Sequence, residues 1–66
     1  MTLTINGEKR QIKDNATIEE ILRELGVYDK VMAVAVNTQI VKKEAWPTYQ
    51  PKEGDKLEFL TFVGGG

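Results

Sequence analysis

Thr17-Ile18-Glu19-Glu20-Ile21-Leu22-Arg23-Glu24-Leu25-Gly26 is the stretch on which the fold turns. Thr17 followed three residues later by Glu20 is a capping box, in which each side chain satisfies a backbone N–H that the first helical turn leaves open. Ile18, Ile21, Leu22 and Leu25 then fall at spacings that share one helical face, while Glu19, Glu20, Arg23 and Glu24 take the opposite one. Gly26 stands where a left-handed C-terminal cap is wanted. The spacing predicts a helix over roughly Ile18 to Leu25 with a single apolar stripe, and such a stripe must be buried against something.

The flanking sequence supplies the partner. Upstream, Thr2-Leu3-Thr4-Ile5 alternates polar with apolar, Asn6-Gly7 is a two-residue hairpin turn, and Glu8 to Ile12 returns as a polar edge strand. Downstream, Val31 to Val36 is apolar and rich in β-branched residues, as a central strand is. Asn37-Thr38 turns the chain and Ile40-Val41 forms a short return strand. Lys42 to Trp46 forms an irregular turn that drops the indole onto the core, and Pro47 and Pro51 exclude a regular element between them. Glu53-Gly54-Asp55 is a tight turn leading into a last strand from Lys56 to Val63. Strand, strand, helix, strand, short strand, strand implies an α+β fold of two layers, a mixed sheet of four to five strands under one main helix. The two chain ends are expected to pair as parallel neighbours in the sheet centre, the β-grasp (ubiquitin-like) arrangement. Residues 1–63 form the domain and residues 64–66 a glycine tail.

Composition narrows the chemistry. The 66 residues contain neither cysteine nor histidine, which removes the usual nucleophile, the commonest neutral-pH base and the best metal ligands. No metal site or side-chain catalysis is expected. Nine Lys+Arg against ten Asp+Glu give a net charge of −1, too balanced to collect nucleic acid or an anionic membrane. The N-terminal stretch is strand-like, with no signal peptide and no run long enough to span a bilayer, so the cytoplasm is the expected compartment. The acidic cluster Glu19, Glu20 and Glu24 lies on the exposed helix face, and Lys42-Lys43 and Glu8-Lys9-Arg10 read as solvated surface.

The remaining candidate for chemistry is the end of the chain, Gly64-Gly65-Gly66. A cloning scar or a frayed end is one reading of such a tail. Its position directly after the final strand favours another. A terminal carboxylate becomes an electrophile only once its oxygen is made a leaving group, as in an acyl-adenylate, and the activating site must admit the chain end. Glycines, lacking Cβ atoms, make the thinnest thread for that passage. No glycine-rich loop lies between a strand and a helix to bind a nucleotide, so adenylation belongs to a partner. Alternation along the last strand puts Leu57 and Phe59 on one face and Glu58, Leu60 and Phe62 on the other. With Val34 and Val36 turned to the helix, Ala33 and Ala35 lie beside Leu60 and Phe62 as a flat apolar docking patch.

These features resemble the ThiS family, the bacterial sulfur carriers for the thiazole of thiamine. The resemblance runs end to end through the Asn6-Gly7 hairpin, Ala33 to Val41 followed by Glu44-Ala45-Trp46, the Glu53-Gly54-Asp55 turn and Gly65-Gly66. Departures lie at Lys42, where a proline is common, and in the proline-rich Trp46 to Pro51. The resemblance implies that a ThiF-like adenylyltransferase activates the Gly66 carboxylate with ATP and magnesium. A cysteine desulfurase would supply sulfur, and the resulting thiocarboxylate would be delivered to a ThiG-like thiazole synthase. Gly66 would carry the reacting carbon, with Gly64 and Gly65 as the thread. A sulfur carrier for molybdopterin or another product, a ubiquitin-like protein modifier and a plain interaction module remain as alternatives.

Overall fold

The computed structural model describes residues 1–61. Within them β1 (Thr2–Ile5), β2 (Glu8–Gln11), α1 (Ile18–Glu24), β3 (Val31–Val36), β4 (Gln39–Val41), a short 3-10 turn (Lys43–Ala45) and β5 (Lys56–Thr61) follow in order. The strands form one mixed sheet in the order β2-β1-β5-β3-β4. β1 and β5 run parallel, with Thr4 opposite Lys56 and Ile5 opposite Leu57, and every other pairing is antiparallel. This is the expected β-grasp topology, with β5 at the centre. Phe62 and Val63, expected in the last strand, and the tail Gly64, Gly65 and Gly66 lie outside the described residues.

Local chemistry explains the corners. Asn6 and Gly7 hold φ of 50° and 86°, and Asn37 and Thr38 hold 49° and 75°. Positive φ at both central residues matches the twist of the flanking strands. The helix begins as its sequence dictates: Thr17 Oγ1 accepts from the Glu20 N–H at 3.2 Å, and Glu20 Oε1 accepts from the Thr17 N–H at 2.9 Å. The next two open donors find carbonyls of the proline-flanked loop, Ile18 N–H to Tyr49 at 2.9 Å and Glu19 N–H to Trp46 at 3.1 Å. The loop between Trp46 and Pro51 therefore caps the helix. At the other end the Gly26 N–H donates to Arg23 and the Val27 N–H to Leu22, at 3.1 and 3.0 Å, the paired bonds of a Schellman motif. The helix ends at Glu24, one residue before the expected end, and Leu25 is its C-cap.

The helix buries Ile18, Ile21 and Leu22 against Leu3, Ile5, Val34, Val36 and Leu57 of the sheet. Trp46 is fully buried and its indole Nε1–H donates to the Val41 carbonyl at 3.0 Å. Tyr28 meets the indole edge-on, ring centres 6.0 Å apart, the favoured geometry of an aromatic pair. One irregularity interrupts the sheet. The register between β3 and β5 slips between Val31 and Ala33, a bulge that absorbs Met32.

Candidate functional site: the outer sheet face and the end of β5

α1 covers one face of the sheet, so the site is built on the other. Leu60 on β5 pairs with Ala33 on β3, and Ala35 sits between Glu58 and Ile40 in the same register. Leu60 is 50% exposed and Ala33 half-buried. Ala35 is on the expected face, but at 8% exposure it is a floor under its neighbours and offers almost no surface of its own. Phe62, placed on this face by alternation, is outside the described residues. Two apolar side chains that the sequence pattern does not single out belong to the surface: Met32, 52% exposed at the bulge, and Ile40, 59% exposed on β4. Ile40 was readable, because an Asn37-Thr38 two-residue turn sets Ala35 opposite Ile40. Met32 was not, since strict alternation assigns it to the buried face with Val34.

Several charges elsewhere are engaged in ion pairs and caps. Glu19 Oε2 accepts from Arg23 Nε at 3.0 Å, and Arg23 in turn lies over the Tyr28 ring at 4.0 Å. The Arg23 guanidinium is pushed up by that bond to Glu19. Glu20 is held below the usual carboxylate range, first by the Thr17 backbone N–H and then by Lys13. Asp14 is lowered by its hydrogen bond to the Met1 ammonium and by the charge of that group. None of these carboxylates converges with others: among the described residues, no group of three His, Cys, Asp or Glu could hold a metal ion. No helix among them is long and apolar enough to cross a membrane.

At the edge of β5 lies an open groove of about 360 Å³, lined by Ile5, Asn6, Glu8, Arg10, Leu25, Val27 and Phe59. On its wall the Phe59 N–H donates to Asn6 Oδ1 at 2.8 Å. A second amide, Asn37, joins the β3–β4 turn to the start of β5, accepting the Lys56 N–H at 2.9 Å and donating to Asp55 at 2.9 Å. The arrangement is a rigid central strand, pinned by side-chain amides at its start and beyond its midpoint, that runs beside an exposed apolar surface toward the glycine tail.

Known proteins resemble this chain in sequence and in fold. The model of the ThiS family matches residues 3–66. The sulfur carrier protein ThiS of Bacillus subtilis is 32% identical over 65 residues, covering 97% of this chain and 98% of that protein. A thiazole synthase of Paramagnetospirillum magneticum is 44% identical over 66 residues; the whole chain matches, but it spans only 20% of that relative's length. The crystal structure of the thiamine biosynthesis protein ThiS from Geobacter metallireducens superposes with a TM-score of 0.78 at 33% identity, covering both chains completely. With the fold, the hairpin turns and the match through the terminal glycines all in agreement, the chain belongs to the ThiS family.

Proposed function

We propose that this chain is a protein sulfur carrier, a substrate mounted on a folded handle. The observation that carries the reading is the family match through residue 66, tail glycines included. In the proposed cycle a ThiF-like adenylyltransferase binds ATP and magnesium and converts the Gly66 carboxylate to an acyl-adenylate, releasing pyrophosphate. A persulfide formed by a cysteine desulfurase attacks the acyl-adenylate and displaces AMP, leaving an acyl disulfide. A partner's thiol then takes the outer sulfur as a disulfide and frees the C-terminal thiocarboxylate, which donates its sulfur for thiazole formation in thiamine biosynthesis. The chain contains no cysteine, so no thiol of its own competes for the activated carbonyl. Residues 1–63 act as the handle, Gly64 and Gly65 thread the partner active sites, and the cytoplasm is the compartment in which the cycle runs.

The apolar surface of Met32, Ala33, Ile40 and Leu60 is the proposed docking face for those partners. A thiazole synthase as acceptor is supported by the relative of that name in which a fifth of the length resembles this chain. Intact mass spectrometry of protein purified from its own host tests the proposal, because a thiocarboxylate adds the mass difference of sulfur for oxygen. Only unmodified carboxylate, even after incubation with the adenylyltransferase, ATP and a sulfur source, would sink it. Attachment of the chain to other proteins under those conditions would point to a modifier instead.

A further inference from the structure

Asn6 does more than the hairpin turn asks of it. The turn requires only positive φ, which Asn6 and Gly7 both supply. The Asn6 backbone N–H donates to the Leu57 carbonyl at 2.9 Å, the last bond of the regular β1–β5 ladder. In a continuing parallel ladder the Phe59 N–H would next donate to the Asn6 carbonyl. By then β1 has turned away, and the Asn6 carboxamide oxygen takes the place of that carbonyl at 2.8 Å. The side chain lengthens the ladder by one bond beyond the end of the strand.

The position of this bond gives it consequence. Past Leu57 no strand among the described residues pairs with β5 on the β1 side. On the other side Leu60 and Thr61 face the bulged part of β3, where the register slips, and bulges disrupt the local ladder. Among the described residues, Asn6 is thus the last partner of β5 on that side, and Phe59 stands seven residues before Gly66, a reach of at most about 24 Å.

We propose that Asn6 is a positioning residue for carboxyl activation: its carboxamide pins β5 at Phe59 and fixes the point and direction from which the tail enters a partner. The inference rests on the sulfur-carrier reading. In the step concerned, a Gly66 carboxylate oxygen attacks the α-phosphorus of ATP. The acyl–phosphate bond forms as the α–β anhydride bond breaks, and pyrophosphate leaves with the electron pair. With Phe59 held from the β3 side alone, the carboxylate reaches the reacting geometry in a smaller fraction of docked complexes. The docking face is untouched, so the loss falls on kcat and not on KM.

Two variants isolate the bond. Asn6→Gly keeps the positive φ and deletes the acceptor, whereas Asn6→Asp keeps an acceptor at a residue type that tolerates the left-handed region. Amide exchange at Phe59 and steady-state pyrophosphate release with the adenylyltransferase and ATP are measured well below the melting transition of every variant. For Asn6→Gly the expected result is faster exchange at Phe59 and a kcat lower by about two- to tenfold, the worth of one exposed hydrogen bond, at unchanged KM. Asn6→Asp retains both properties. Turnover of Asn6→Gly at the wild-type kcat overturns the inference alone, as does an Asn6→Asp variant that falls equally far. A wild-type chain that is not adenylated at all overturns the functional reading and this inference with it.

Discussion

Thr38 holds a β-branched side chain at φ +75° in the second position of the β3–β4 turn. That region crowds Cβ against the following carbonyl at a cost of about 1–2 kcal/mol, which glycine avoids at some loss of chain entropy. Thr38→Gly is expected to stabilise the protein by a net of about 1 kcal/mol, raising the melting temperature by about 7 °C. An unchanged or lower melting point would mean that the threonine makes a compensating contact. Trp46 tests the opposite sign. Phenylalanine there leaves the Val41 carbonyl without its 3.0 Å indole donor and opens a gap in a site with no exposure. The resulting loss is about 2–4 kcal/mol. In a domain this small it lowers the melting temperature by roughly 10 °C or more, read by thermal denaturation.

At the scale of elements, α1 and its caps show what is written locally and what is not. The capping box, the Schellman glycine and both two-residue turns are short-range chemistry, and each was legible from residue types four or fewer apart. The Tyr49 and Trp46 carbonyls that satisfy the helix N-terminus come from some thirty residues away, and no periodicity announces such a bond. The bulge at Met32 was hidden for a related reason: it shows only once β5 is laid against β3. Hence Leu60 and Ala33 were read onto the outer sheet face where they lie, the exposure of Met32 was missed, and Ala35 was credited with exposure that its neighbours Glu58 and Ile40 take from it. The Asn6 carboxamide was read as turn chemistry alone, since its partner at Phe59 is 53 positions distant. The capping box also carries a pH dependence. Glu20 is held below its ordinary value of 4.5 by the Thr17 N–H and Lys13, so its stabilising share is complete above that value and is lost as the pH falls through the lowered folded-state pKa. Asp14, lowered from 3.8 beside the Met1 ammonium, adds a share of the same sign. Urea midpoints at neutral pH and at about pH 3 should therefore differ less for Glu20→Gln than for wild type. Equal differences would show that Glu20 does not contribute to acid sensitivity.

For the molecule as a whole, the proposed function has the two sheet faces divide the labour. One face carries the core against α1, where Leu57 of β5 is 1% exposed. The other carries Leu60 three residues on, half exposed, with Ala33 as its neighbour. Folding and docking can thus be separated by one substitution on a single strand. Leu60→Asp leaves the buried face intact and gives up only a partly buried side chain, a cost of about 1 kcal/mol or less. In a docked complex the same aspartate must be desolvated against an apolar surface without a partner, which costs about 2 kcal/mol or more. The expected outcome is a melting temperature within a few degrees of wild type, together with a KM for the adenylyltransferase raised by about thirtyfold and kcat little altered. This signature is the reverse of that expected for Asn6→Gly, in which kcat falls and KM holds, so the pair distinguishes the surface that is gripped from the strand that aims. A Leu60→Asp variant with unchanged KM and unchanged stability would place the docking surface elsewhere on the molecule.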